Sequence, residues 1–374
     1  MLVTESAELQ LEDLLDRIGA KLQITAIQFQ QAEARYQAAV KWLEAEGSRT
    51  AAYRPIIYPQ GSLAIGTTTK PLASEEFDLD LVLELAVDWR RVADPTLLLE
   101  LVEGRLREHG EYNRMVERKK RCIRLNYANE FHLDIMPACP DRSSGPNCVV
   151  VPDRTVKEWK ASNPKGFAEW FEMRARLSVK TILMEAERLP YPESYEQKPP
   201  LKRAVQLLKR WRDIHFEGSP KDAPVSIALT TLAATNYAGE NSVYGALETI
   251  LQGIVDSLPK GTQRLVVLNP MNRQEDLSER WNSKRSYNTF AAGITRLRDE
   301  WGKLLLQGNL TGVHARLKEL FGEHAASTAF NEQAKAIQKM RESNELAVRR
   351  GTGLLVGASS PGTLRVPRNT FYGQ

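Results

Sequence analysis

Between residues 8 and 46 the chain contains no proline, and Leu11, Leu15, Ile18, Leu22, Phe29, Tyr36, Val40 and Leu43 recur near the helical period. The spacing predicts one long helix. At 1.5 Å rise per residue it would run on the order of 55 Å, long enough to brace two lobes as a spine; a coiled coil is the alternative. The pattern changes at Arg54-Pro55. Residues 56–59 read as a short strand, Gly61-Ser62 opens a short apolar helix, and residues 77–85 begin with strict alternation of apolar and acidic side chains. Residues 123–127 and 131–136 predict two further strands joined by a turn at Asn129-Glu130, with a helix over 95–109. A mixed sheet is therefore expected between residues 55 and 140.

Residues 139–165, rich in Pro, Ser, Asn and Gly, read as a long surface connection leading to an aromatic helix over 167–183. From Pro199 onward helical periodicity dominates, over 201–215, 226–237, 243–258, 275–300 with an interruption, 313–321 and 326–350. The last 24 residues hold five glycines and two prolines with little periodicity. The fold class is α+β: a mixed-sheet lobe and a helical lobe braced by the long N-terminal helix. The divisions fall at 1–54 (spine), 55–198 (sheet lobe), 199–350 (helical lobe) and 351–374 (flexible C-terminal tail).

Composition narrows the function. With 374 residues, 42% hydrophobic and 26% charged, the chain can bury a large core and is not disordered. Lys and Arg exceed Asp and Glu by 51 to 47, a balance that permits an anionic ligand and does not require nucleic acid. No apolar run reaches the roughly 18 residues of a membrane helix, and the acidic N-terminus lacks a secretory pattern, so a cytoplasmic protein is expected. Three cysteines without a CxxC pair and five histidines without an HExxH leave carboxylates as the expected carriers of chemistry.

Asp78 and Asp80 stand two apart in a strand, so both leave the same face. Side by side they repel unless a cation neutralises them, and Mg²⁺ takes such oxygen ligands together with phosphates. Asp134 lies inside the otherwise apolar strand 131–136, where an unpaired charge is costly. Three acids on adjacent strands would make a two-metal site. Upstream, Gln60-Gly61-Ser62 offers backbone N–H groups and a hydroxyl to phosphate oxygens. A solvated acidic strand face is the plainer alternative for the DxD alone.

Gly61-Ser62 through Gly66-Thr67, then Phe77-Asp78-Leu79-Asp80, then Leu133-Asp134 resemble the signature of the DNA polymerase β-like nucleotidyltransferase superfamily. Residues 163–171 (NPKGFAEWF), 207–213 (LLKRWRD), Pro224-Val225-Ser226-Ile227 and Asn269-Pro270 are similar to bacterial cGAS/DncV-like nucleotidyltransferases, the CD-NTases, over roughly residues 8 to 300. The resemblance implies a template-independent, pyrophosphate-releasing cyclase. It would join nucleoside triphosphates, ATP or GTP foremost and pyrimidines in some relatives, into a cyclic di- or trinucleotide for CBASS anti-phage signalling. It implies that Asp78, Asp80 and Asp134 hold two Mg²⁺ ions, with Mn²⁺ able to substitute, and that Asp134 also orients or deprotonates the acceptor hydroxyl. Gln60, Gly61 and Ser62 would bind donor phosphates, with Lys209 and Ser226 also touching the triphosphate. A linear 2'-5' oligonucleotide synthetase, another nucleotidyltransferase with the same triad such as a protein-modifying one, and an inactive nucleotide or RNA sensor remain as alternatives.

On the helix over 201–213, Ala204, Leu207, Leu208 and Trp211 form the apolar stripe, and Lys202 and Lys209 are expected to look out together from another face. The basic run Arg114, Arg118, Lys119, Lys120, Arg121, Arg124 reads either as a polyanion site or as protection of a sheet edge. His132 shares a strand face with Asp134. Residues 370–374 end a segment of the character that an E1/E2-like CBASS partner engages in some relatives.

Overall fold

The computed structural model describes residues 2–72, 77–128, 131–176, 195–261, 263–279, 281, 283–307, 310–349, 355–357 and 363–366. The N-terminal span is helical as expected, in two pieces, α1 (Leu2–Leu22) and α2 (Ala26–Glu44). The break has a local cause. Thr25 and Gln28 form a capping box, with Gln28 N–H donating to Thr25 Oγ1 at 3.2 Å and Thr25 N–H to Gln28 Oε1 at 2.9 Å, so a new helix starts at residue 26. The pieces serve different cores: Leu11, Leu14, Leu15, Ile18 and Leu22 join the helical core, while Phe29, Ala32, Tyr36, Ala39 and Leu43 pack under the sheet. The spine is jointed.

Next follow β1 (Ile56–Gln60), α3 (Gly61–Ala64), β2 (Phe77–Glu84), α4 (Thr96–Arg107), α5 (Tyr112–Met115), β3 (Val116–Arg118), β4 (Ile123–Tyr127) and β5 (Phe131–Pro140). The turn expected at Asn129-Glu130 lies outside the described residues. The expected surface connection over 139–165 is instead largely sheet. β5 runs on to Pro140, and β6 (Val149–Asp153) and β7 (Glu158–Ser162) extend it, because the apolar run Val149-Val150-Val151 is buried on both faces. Seven strands run in the order β1-β2-β5-β4-β3, with β6 on β5 and β7 on β6; β2 and β5 are parallel and the other pairs antiparallel.

Asn163 caps α6 (Pro164–Ala175), accepting from Gly166 N–H at 2.9 Å; residues 177–183 of the expected aromatic helix lie outside the described residues. The helical part comprises α7 (Pro200–His215), α8 (Ser226–Asn236), α9 (Val243–Asp256), then the hairpin β8 (Leu268–Asn269) and β9 (Asn272–Asp276), α10 (Lys284–Lys303), α11 (Leu310–Phe321) and α12 (Glu323–Glu342). Glu275 is thus in a strand rather than opening a helix, and α10 starts where Ser283 caps it. α12 stops at Glu342. β10 (Leu346–Arg349) pairs with β11 (Leu355–Gly357) and β12 (Thr363–Arg365), so part of the expected flexible tail is strand. The proposed partner segment at 370–374 lies outside the described residues. Among the described residues, no helix is long and apolar enough to cross a membrane.

Candidate active site

Strand alternation positions the acids. In β2, Phe77, Leu79 and Leu81 are buried in the sheet core, which turns Asp78 and Asp80 to the other face; in β5, Leu133 and Ile135 do the same for His132 and Asp134. The parallel register sets Asp78 opposite His132 and Asp80 opposite Asp134, and the β4–β5 register sets Arg124 opposite Asp134. Asp80, Asp134 and Arg124 therefore lie abreast on three strands, at the strand spacing of about 4.8 Å.

Arg124 ties this row together. Its Nε and Nη2 donate to Asp134 Oδ1 and Oδ2 at 2.6 and 2.8 Å, and Nη2 also donates to Asp78 Oδ1 at 3.0 Å. His132 Nδ1 is 3.3 Å from Asp78 Oδ1. Asp80 is pushed up to about 7, first by burial and then by the charges of Asp134 and Asp78. A site with this much like charge and one guanidinium is short of positive charge, and its donors are all carboxylate oxygens. That set fits Mg²⁺ or Mn²⁺. As they stand, no three His, Cys, Asp or Glu side chains among the described residues enclose a metal position, because Asp78 and Asp134 close on Arg124 instead.

The turn at Gln60-Gly61-Ser62 abuts the row. Gln60 pairs with Asp80 across β1 and β2, and Gly61 has φ +66°. A Cβ at Gly61 would overlap the Asp80 carboxylate, so glycine is required by both the backbone conformation and the close approach. Ser62 Oγ sits 3.2 Å from Thr68 Oγ1. Gln60, Gly61, Ser62, Asp78 and Asp80 line one wall of a cavity of about 710 Å³. Asp134 is not in that wall; Arg124 holds it behind.

α7 forms the opposite side. Contrary to expectation, Lys202 and Lys209 do not look out together: both are buried, because α7 is packed all round. Lys202 pairs with Glu172 at 2.9 Å. Lys209 lines the cavity and donates to Thr67 O and Thr67 Oγ1, both at 3.0 Å, and burial lowers it to about 7. Gln206 donates to Thr68 O and Arg210 to Lys70 O, each at 2.7 Å, so the polar face of α7 holds the loop that follows α3. Ser226, at the start of α8, also lines the cavity and accepts from Arg212 Nη1.

Every expected site residue except Asp134 thus lines one cavity, and Asp134 adjoins it through Asp80 and Arg124. Most of the basic run is paired with acids of the fold. Arg118 pairs with Glu103, Lys119 with Glu117, and Lys120 and Arg121 with the fully buried Asp153, while Arg124 belongs to the acid row. Arg212 and Glu275 are among the cavity groups that carried no functional expectation. Arg212 holds Ser226, and Glu275 accepts from Asn269 Nδ2, Ser162 Oγ and Asn163 N–H at 2.7, 3.0 and 3.2 Å, knotting the β8–β9 hairpin to the start of α6. For Glu275 the helical reading of its segment concealed the strand that places it.

Residues 9–174 match the Second Messenger Oligonucleotide or Dinucleotide Synthetase domain. A c-di-GMP synthase of Roseivirga ehrenbergii is 34% identical over 383 residues, 100% of both chains. The cyclic dinucleotide synthase CdnG of Bradyrhizobium diazoefficiens is 26% identical, covering 93% of this chain and 89% of the relative. In three dimensions the structure of Bradyrhizobium diazoefficiens CdnG in complex with GTP superposes with TM-score 0.71 at 23% identity, covering 87% of this chain and 99% of that one. Vibrio cholerae DncV cyclic AMP-GMP synthase in complex with nonhydrolyzable GTP superposes with TM-score 0.54 at 15% identity, over 86% and 88% of the two chains. With the acid row, the glycine turn and the full-length similarity together, the chain belongs to the bacterial CD-NTase family of cGAS/DncV-like nucleotidyltransferases, enzymes that make cyclic oligonucleotides.

Proposed function

We propose that this enzyme condenses two GTP molecules into cyclic di-GMP, releasing two pyrophosphates. The observation that carries the chemistry is the in-register placement of Asp80 beside Asp134, with Asp80 lining a cavity whose far wall presents Lys209 and Asp134 directly behind it. The choice of guanine rests on the c-di-GMP synthase that is 34% identical over the whole chain. On family membership we assign the product to CBASS signalling.

The donor triphosphate lies between the Gly61-Ser62 turn and Lys209, with Ser226 beside it, so the wall groups fix its α-phosphate over the acid row. Bound at Asp78, Asp80 and Asp134, two Mg²⁺ ions would supply charge neutralisation for the attacking oxygen and the leaving pyrophosphate. Asp134 orients the acceptor hydroxyl and takes its proton as the ribose oxygen bonds to the α-phosphorus and the bond to pyrophosphate breaks. A second round on the linear intermediate closes the ring. Gly61 lets the backbone of the turn approach Asp80 without a side chain intervening.

Purified protein is incubated with labelled ATP, GTP, CTP and UTP, singly and mixed, with Mg²⁺ or Mn²⁺, beside an Asp78→Ala/Asp80→Ala variant. Phosphatase treatment and mass spectrometry follow. A phosphatase-resistant cyclic di-GMP made only by the wild type is the expected result. A linear product would move the enzyme to oligonucleotide synthesis, and a cyclic product of other bases would refute the guanine assignment.

A further inference from the structure

We propose that Arg124 is a built-in counter-cation that competes with the divalent metal for Asp78 and Asp134, so that metal binds tightly only together with a triphosphate. The proposal rests on the reading of the acid row as the metal site. A side chain that merely lined the row could leave it without cost. Arg124 cannot: it makes two bonds to Asp134 and a third to Asp78, and the Arg124 and Asp134 side chains are only 17% and 14% exposed. Bidentate guanidinium–carboxylate pairs sheltered from water are among the stronger polar contacts in proteins.

Asp78 is different. Its side chain is 59% exposed, so its bond to Arg124 is screened and opens readily toward the cavity. A cation arriving alone can reach Asp78 and Asp80 easily and gains Asp134 only by breaking the sheltered pair. A triphosphate changes the balance, because it brings negative oxygens that can satisfy the released guanidinium. Arg124 thus keeps Asp78 and Asp134 in place in the free enzyme and links metal binding to substrate binding.

The test measures Mn²⁺ binding directly, by the free-ion electron paramagnetic resonance signal, for wild type, Arg124→Gln, Arg124→Lys and Asp80→Asn. Each is titrated with and without a nonhydrolyzable GTP analogue. Without nucleotide, Arg124→Gln should bind Mn²⁺ at least about tenfold more tightly than wild type, the scale of one charge-assisted bond. Arg124→Lys should fall between them, and the analogue should narrow the gap. Mn²⁺ should also raise the melting temperature of Arg124→Gln more than that of wild type. If Arg124→Gln does not fold, Arg124→Lys carries the comparison in the same direction. Equal or weaker binding by the Arg124 variants, with Asp80→Asn abolishing it, overturns the lock and leaves the metal site standing. No Mn²⁺ binding by wild type even with the analogue overturns both.

Discussion

In the metal-free protein, Asp80 should make folding less favourable as pH rises from about 4 to about 7, and Asp80→Asn should remove that loss. The folded carboxyl is raised from 3.8 to about 7, so across this window the unfolded chain has released a proton that the folded chain still holds. Stability from this group is complete below the unfolded value and is lost as pH climbs to the folded one. Three units at about 1.4 kcal/mol each set a ceiling on the order of 4 kcal/mol. The side chain is partly exposed in the cleft, and screening there brings the expectation to about 2–4 kcal/mol. Lys209, lowered from 10.5 to about 7, changes stability in the opposite sense above pH 7, so the comparison is made below it. The assay is urea unfolding in EDTA at half-unit steps from pH 4.5 to 7. The free energy of Asp80→Asn relative to wild type should grow steadily over that range, and Mg²⁺ at pH 7 should recover wild-type stability. Two curves that stay parallel would refute the account of Asp80 as a carboxylate held against its own charge.

Three further outcomes follow from single contacts. Gly61→Ala should cost about 1–3 kcal/mol in urea unfolding and abolish product formation, since its Cβ meets the Asp80 carboxylate at a positive φ. Lys209→Met should raise the KM for GTP at least about tenfold in initial-rate measurements, and Lys209→Arg should not rescue it, because the buried site has room for one ammonium between α7 and Thr67. Asp153→Ala, which removes the buried partner of Lys120 and Arg121 and the acceptor of the Thr155 and Val156 N–H groups, should destabilise by about 1–3 kcal/mol by thermal or chemical unfolding while leaving the KM for GTP unchanged.

The acid row was legible because alternation in a strand is a rigid rule: once Leu79, Leu81, Leu133 and Ile135 are assigned to the core, the faces of Asp78, Asp80 and Asp134 follow. Arg124 was legible in principle by the same rule. A hairpin that pairs Tyr127 with Phe131 must pair Arg124 with Asp134, but the neighbouring cations invited a reading by composition rather than by register. The break at Thr25 was written in the capping box Thr25–Gln28 and was masked by apolar periodicity continuing on both sides. Lys202 and Lys209 were misjudged for another reason. A helical wheel shows which side chains share a face and not what packs on that face; here Glu172 covers one lysine and the loop at Thr67 covers the other. The strands over 149–162 were hidden by turn-forming residues at 141–148 and 154–157, which punctuate a sheet as readily as they form a loop.

The way α7 grips the loop after α3 bears on how such an enzyme can diversify. Gln206, Lys209 and Arg210 all donate to main-chain carbonyls, of Thr68, Thr67 and Lys70. A carbonyl is present whatever residue carries it. The side chain at position 69, which faces the cavity, can therefore be exchanged, altering the chemistry that the cavity offers a nucleotide, while the anchorage of the loop to the helical core through its carbonyls persists. Substrate preference and architectural integrity are in this segment separately inheritable.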